Sequence, residues 1–317
     1  MASGELLNKI TQRGIDASFR QALQEYPSIH ENHCQIVNST AETHTYAFLG
    51  SLPQPRVMLG NRQFQGMRDF SFTATDDEVE LSIIIDRKTM EDDQAGQVEE
   101  RIQDMGTAWA AYWDSVFVLY LTEGDGTTYG GSAFDAVAFH GTTRTIGDSA
   151  AIANLQSDSA PSTATKPTPA ELLNSVSQCI GAMIRFQDDQ GTAGTMTAGA
   201  MSRLRIIAPP EFQKSFIEAT QAEMIAQTSN AWGGSLPIEA IDSSPFMPAT
   251  STDATFYMSA VGAKRRPFIK QVRNPLEVVV LNGRDDVAQN NGVKILTRQR
   301  ATFAYGDPRL NIRCNLS

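Results

Sequence analysis

The sequence predicts a mixed α+β protein, on three observations. Hydrophobic residues keep a helical period over residues 95–121, alternate with polar ones over 78–86, and return to a β-rich pattern over 276–306. The resulting order is strand, long helix, helix, strand–helix and strand. That is not the repeating βαβ order of a parallel-sheet enzyme.

Each element has its own signal. Residues 5–26 read as a short helix, with Leu6, Leu7, Ile10, Ile15, Phe19 and Leu23 at helical spacing and Gly14 interrupting it. The stretch TYAFLGSLPQPRVMLGNRQF, residues 45–64, is apolar through Tyr46, Phe48, Leu49, Leu52, Val57, Met58, Leu59 and Phe64. Gly50, Pro53, Pro55 and Gly60 forbid a long helix there and interrupt a regular strand. Such a segment needs a cover that it does not itself supply. Next, Phe70 and Phe72 alternate with Asp69, Ser71 and Thr73. Val79, Leu81, Ile83 and Ile85 then alternate with Glu78, Glu80, Ser82, Ile84 and Asp86. With the turn-rich residues 73–77 between these runs, 62–86 is expected to fold as a hairpin.

The strongest element follows. Val98, Ile102, Met105, Trp109, Tyr112, Trp113, Val116, Phe117 and Tyr120 share one stripe, and Glu91, Asp92 and Asp93 precede it, where the helix dipole favours anions. A helix over 95–121 is a rod of roughly 40 Å at about 1.5 Å per residue. Residues 124–167 are rich in Gly, Ser, Thr and Ala and read as a long excursion with little regular structure. Thr168-Pro169-Ala170-Glu171 then starts a helix, with a Thr cap, Pro at the first position and Glu three residues after the cap. Its stripe is Leu172, Leu173, Val176, Ile180, Met183 and Ile184. Residues 191–200 read as a flexible connection and 203–208 as a strand stopped by Pro209 and Pro210. A helix through Phe212, Phe216, Ile217 and Met224 comes next, then a loop over 228–251. LEVVVL at 276–281, the Asn282-Gly283 turn signal and the strand at 293–306 complete the chain.

Length and composition set bounds on function. A chain of 317 residues holds two or three compact units, and 20% charged with 41% hydrophobic residues is ordinary for a folded protein. No run approaches the length of a membrane span, and MASGELLNKI lacks the apolar core of a signal peptide. Cys34, Cys179 and Cys314 are odd in number and widely spaced, so the expectation is a reducing compartment without a disulfide framework. The net charge of −10 hides a polarity. Residues 264–317 carry 11 Lys/Arg against 4 Asp/Glu, a net of +7, which leaves residues 1–263 at −17. A basic tail on an acidic body suits contact with nucleic acid, docking on another copy, or pairing within the chain.

Signals for chemistry are weak. HENHC brings His30, His33 and Cys34 together, with His44 nearby, but the spacing matches no closed zinc pattern, and a polar surface is expected instead. Ser132 in GGSAF and Ser149 in GDSA lack the GxSxG pattern and its strand–turn–helix context. The carboxylate pairs 76–77, 92–93, 188–189 and 285–286 fall at expected turns or helix ends, where Asp is common for structural reasons. No phosphate-binding loop, dinucleotide fingerprint or zinc-protease motif is present, and four histidines leave little material for acid–base work. The expectation is therefore a non-enzyme without a cofactor or metal.

Several segments resemble the Mu-like major head subunit family, the capsid proteins of Mu-type tailed phages. They are NSTAETHTYAFLGSLPQPR from Asn38, ELSIIIDRKTMEDDQAG with IQDMG, TTYGGSAFDAVAFHG, RRPFIKQVRNPLEVV and the closing FAYGDPR. In the second, Arg87, Glu91-Asp92-Asp93 and Gly96 fall in the family's order. Each match is weak alone, but five in order over residues 33–309 are specific. One departure is His140-Gly141, where the family usually places Pro after the His.

The resemblance implies the Hong Kong 97-type fold of tailed-phage major capsid proteins. It assigns residues 1–44 to an N-terminal arm and 45–90 to an extended hairpin (the E-loop). Residues 91–199 and 264–317 form a peripheral domain built on the spine helix 95–121, and 200–263 an axial domain. It further implies a homo-oligomer of hexamers and pentamers closing an icosahedral shell around double-stranded DNA. Portal, scaffold and decoration proteins are the other partners. The setting is a virion assembled in the bacterial host cytoplasm, with no membrane. The short start ahead of the arm is expected to leave no room for a large cleaved scaffold segment. Two other readings stand beside it: a non-viral, encapsulin-like shell of the same fold, and a serine hydrolase using Ser132 or Ser149.

This reading supplies the missing cover. Two strands alone are marginal in water, so the hairpin's Phe48, Leu49, Leu52, Val57, Met58, Leu59 and Phe64 are expected to bury against a neighbouring copy. Asp76, Asp77, Glu78 and Glu80 near its tip are expected to meet Lys294, Arg298 and Arg300 of that neighbour.

Overall fold

The computed structural model describes residues 2–49, 69–86, 96–159, 161–193, 199–221, 224–225, 228–229, 237–251, 254–281 and 292–317. The chain opens with α1 (Ala2–Glu25), a single turn α2 (His30–His33), and strands β1 (Cys34–Asn38), β2 (Thr43–Leu49), β3 (Asp69–Thr75) and β4 (Asp77–Asp86). Next come the spine helix α3 (Gln97–Thr122), β5 (Leu155–Asp158), α4 (Pro169–Arg185), β6 (Leu204–Ala208) and α5 (Gln213–Gln221). The remainder is β: the two-residue strands β7 (Met224–Ile225) and β8 (Thr228–Ser229), then β9 (Ile238–Ser243), β10 (Thr255–Ala260), β11 (Phe268–Leu281), β12 (Gly292–Tyr305) and β13 (Asn311–Leu316). Among the described residues no helix is long and apolar enough to cross a membrane.

The spine helix lies where its stripe predicts, against one face of a four-stranded sheet of order β1-β11-β12-β4. Trp109, Trp113 and Phe117 pack there with Ile85, Phe268, Ile295, Phe303 and Tyr305. The two indole N–H groups donate to the side-chain oxygen of the buried Gln299, at 3.3 and 2.8 Å, so no indole donor is stranded in the core. Tyr112 departs from the expected stripe and is exposed, while Gly106, Ala110, Val118 and Leu121 join the buried face.

Helix α1 crosses the spine through Ile15 and Phe19, and it runs straight through Gly14 without the expected interruption. The two helical glycines differ in their surroundings. A Cβ at Gly14 meets nothing within 4 Å, whereas one at Gly106 falls 2.6 Å from the Phe19 carbonyl oxygen. Gly14→Ala is therefore expected to stabilise the chain by up to about 1 kcal/mol through helix propensity. Gly106→Ala is expected to destabilise it by about 1–3 kcal/mol by forcing the crossing apart. Thermal unfolding of the two variants should move in opposite directions.

A second core surrounds a five-stranded sheet of order β5-β13-β10-β6-β9. Helices α4 and α5 cover one face through Leu172, Val176, Met183, Phe212 and Phe216, which meet Ile206, Phe256 and Met258. The alternate residues Ile207 and Tyr257 face the first core, so this sheet is sandwiched and β10 is buried along its whole length. The expected Thr168 start is present in full: Thr168 accepts from the Glu171 N–H, and the Glu171 carboxylate accepts from the Thr168 N–H.

Several expectations are corrected. Residues 62–86 are not a hairpin: β3 pairs antiparallel with β2, and β4 pairs antiparallel with β12. A single residue, Asp76, carries the chain from one sheet to the other. Met224 lies in β7 and not in the preceding helix, and the expected loop 228–251 contains β9, which runs parallel to β6. The five-stranded sheet also cuts across the expected domain limits, because β5 and β13 join strands from 204–260. Within residues 1–44, β1 adds to the four-stranded sheet beside β11. The acidic run 91–93, residues 194–198 of the 191–200 connection and the Asn282-Gly283 turn lie outside the described residues.

The excursion 124–159 has the expected scarcity of regular structure, and polar anchors hold it in place. Asn154 donates to the Phe139 and Pro308 carbonyls at 2.8 and 3.0 Å, and His140 Nε2 lies 2.6 Å from Asn311 Oδ1. The departure at Gly141 has a local consequence. Its N–H, which a proline would lack, donates to Asn154 at 2.9 Å.

Candidate assembly interface

The base of the apolar ribbon is covered by its own chain. Strand β2 pairs with β3 from Thr43↔Thr75 to Leu49↔Asp69. Tyr46 stacks on Phe72 at 5.0 Å and donates its hydroxyl to Gln271 at 2.9 Å, while Ala74 sits with Ile269 and Ala304 on the sheet. Phe70 reaches Phe134 at 5.2 Å. Phe48 and Leu49 occupy the far end of β2, in register with Phe70 and Asp69. Leu52, Val57, Met58, Leu59 and Phe64 lie outside the described residues.

The expected charge pairing between copies is met within one chain instead. Arg300 Nε lies 2.9 Å from the buried Asp76 carboxylate, with Arg273 at 3.7 Å, and Arg298 Nε lies 2.5 Å from Glu78. The reason is register: β4 and β12 are neighbours, with Arg298 opposite Glu80, Lys294 opposite Ile84 and Asp77 opposite Ala301. The Arg298–Glu78 pair is half exposed, so it fixes register more than it adds stability.

Among the described residues, no strand pairs with the other side of β4. It is an edge strand of ten residues, DEVELSIIID, with no Lys or Pro to block further pairing. A groove of about 500 Å³ runs between it and the spine helix, lined by Leu81, Ile83, Ile85, Met105 and Ala108 with Arg101 and Asp104 on its rim. Ile84 is 55% exposed. On the spine helix Glu100 and Asp104 are exposed against Arg101, a slightly acidic rim, while Glu80 and Asp86 stand on the face of β4 away from that helix. An apolar, acid-rimmed groove beside an open strand edge suits an extended segment with apolar and basic residues.

The HENHC segment corrects the expectation of a polar surface: His30, His33 and Cys34 are buried. His30 Nδ1 lies 2.6 Å from Asp114 on the spine, and its Nε2 2.8 Å from Lys270 Nζ on β11. His33 Nε2 lies 2.9 Å from Asp242 on β9, and its ring stacks on Phe117. These histidines thus pin α2 to both cores. The sequence signal for this was two histidines three residues apart, the spacing of one helical face. Ser149 Oγ accepts the Ile146 N–H at 2.8 Å, a turn-capping role.

Burial pulls His30, His33 and His140 below the ordinary imidazole value, His140 to about 3. The folded chain keeps all three neutral, while the unfolded chain takes up protons below about 6.5. Their contribution is complete above that pH and is lost as the pH falls. Asp242 is lowered too, to about 2: burial pushes it up, but its hydrogen bonds to His33 and Arg205 and their charges outweigh that, so the stability it contributes as a carboxylate is lost only at lower pH. Stability from urea unfolding should therefore fall between pH 6 and 4, with His140 alone contributing up to about 1.4 kcal/mol per pH unit. His140→Gln should make the slope shallower by that share.

Residues 7–190 match the family model of the Mu-like prophage major head subunit gpT. The major capsid protein of Escherichia phage Mu is 28% identical over 106 residues, covering 33% of this chain and 35% of that protein. The Mu-like prophage FluMu major head subunit of Haemophilus influenzae is 25% identical over 134 residues, 42% of each. The aligned part is thus under half the length of either curated relative. Among solved structures, the bacteriophage JBD30 procapsid superposes with a TM-score of 0.55 at 17% identity, over 98% of this chain and 75% of that one. The Cyanophage P-SCSP1u capsid gives 0.60 at 12%, over 92% and 89%. A virus-like particle from Pyrococcus furiosus gives 0.56 at 8%, over 95% and 97%. At such identities the likeness is one of fold: the chain has the Hong Kong 97-type capsid architecture.

Proposed function

This chain belongs to the Mu-like prophage major head subunit gpT family, and on that premise we propose that it is the major capsid protein of a tailed phage, whose copies close into an icosahedral shell around double-stranded DNA. The role is structural and needs no catalytic step. Each copy places the ribbon segment 50–68 in the groove between β4 and the spine helix of a neighbour. The observation that carries this reading is complementarity. Residues 50–68 hold Arg56, Arg62 and Arg68 and no acidic residue, among Leu52, Val57, Met58, Leu59 and Phe64. The groove offers an apolar floor, an open strand edge and a slightly acidic rim. Burying several such side chains contributes on the order of 10 kcal/mol before ordering costs, and a closed shell repeats the contact in every copy.

Hexamers and pentamers, portal, scaffold and decoration partners, and assembly in the bacterial host cytoplasm belong to the same proposal. The family match to head subunits favours the phage head over a non-viral compartment. Ala108→Arg tests the groove. Ala108 is an exposed helical position, so the fold should be unaffected, and the variant should sediment as small species where the parent chain forms particles. Particle formation equal to the parent would remove the groove from the interface.

A further inference from the structure

We propose that Arg203, Arg205, Lys264, Arg265 and Arg266 form a contact site for the phosphate backbone of duplex DNA. The inference rests on the shell reading above and gives that shell a DNA-binding element. The cluster is assembled from two segments. Arg203 and Arg205 stand at the start of β6, and the connection 261–267 is held beside them by the Val261 N–H donating to the Arg203 carbonyl at 2.8 Å. Arg203 forks onto Glu239 with both contacts at 2.6 Å, and Arg205 onto Asp242 at 2.9 and 3.0 Å. Arg266 donates to the Asn32 carbonyl at 3.0 Å, and Asp307 lies within electrostatic reach of Arg265.

Asp307 pairs with Arg309 at 2.8 Å, so six cations face three carboxylates here, on a chain whose net charge is −10. The excess is felt locally. Burial first, and then the charges of Arg203 and Arg205, pull the Arg266 guanidinium below its ordinary value. Lys264 and Arg265 are exposed, and the Arg203 side chain is 54% exposed despite its fork. A guanidinium has five donors, so Arg203 keeps N–H groups for a second anion after pairing with Glu239, while Arg205, shared between Asp242 and Glu239, adds its charge from beneath. Phosphate oxygens accept from such a fork in a bidentate way, and neither this geometry nor a lysine reads sequence. The partner is thus a repeating phosphate chain, bound through charge and salt-dependent.

The test uses Lys264→Gln with Arg265→Gln, two exposed positions. Binding of the purified chain to a duplex of roughly 30 base pairs is followed across a salt series. The parent should bind with a negative slope of log K on log salt, and the double variant should show a slope shallower by about 2, one phosphate per lost cation. An unchanged slope, or a parent that does not bind the duplex, overturns the site. So does a variant that binds DNA like the parent but no longer forms particles, since the cations would then serve a neighbour's carboxylates. Particles are scored on the same preparations. A parent that forms none contradicts the shell reading, while the salt slope alone judges this site.

Discussion

Arg56→Glu, Arg62→Glu and Arg68→Glu together should yield a folded chain that forms no shells. The three arginines are the only charged residues in 50–68, so the triple variant turns a basic segment acidic by six charge units. Its receiving surface carries Glu100 and Asp104 against Arg101. Like charges brought together across an interface cost several kcal/mol, enough to cancel the apolar gain at each contact. A shell repeats that contact in every copy, so a modest penalty per site becomes an all-or-none loss. Circular dichroism should show an unchanged unfolding midpoint, while sedimentation shows no particles. Glu100→Lys with Asp104→Arg, introduced into the triple variant, should restore them.

The largest loss of stability is expected from Arg144→Met. Arg144 is fully buried and donates to both Asp135 oxygens at 3.0 and 3.1 Å, and to the Phe139 and Ala138 carbonyls at 3.0 and 2.8 Å. It is the main polar anchor of an excursion that has almost no regular backbone pairing. Removing it leaves the Asp135 carboxylate buried and unpaired, which costs about 3–5 kcal/mol. Adding Asp135→Leu removes the stranded charge and should recover a large part of the loss. Thermal unfolding of the single and double variants separates the two contributions.

What was legible in the sequence was what local periodicity records. The spine helix declared itself through a stripe of aromatic residues, α4 through its capping box, and β4 through strict alternation, because each pattern depends on neighbours close in sequence. Pairing partners were not legible. Residues 69–75 and 77–86 look like two arms of one hairpin, yet a single buried aspartate separates two different sheets. The clue was a carboxylate at the switch and two arginines on a distant strand, and that relation appears only once β4 and β12 are side by side. Strand β10, TFYMSA, is buried on both faces and so shows no alternation, while β9, IEAIDS, is a half-buried edge whose pattern is diluted. Of the charged residues expected at the interface, Asp76 and Glu78 pair with Arg300 and Arg298 inside one chain. The ribbon's own basic charge lies at Arg56, Arg62 and Arg68, which sequence reasoning passed over because they sit among apolar residues.

Electron microscopy of the purified chain tests the central claim most directly. The account predicts closed icosahedral particles in which density for residues 50–68 of one copy lies between β4 and the spine helix of the next. Particles with that groove empty, or a chain that stays monomeric with the segment folded onto its own sheet, would contradict it.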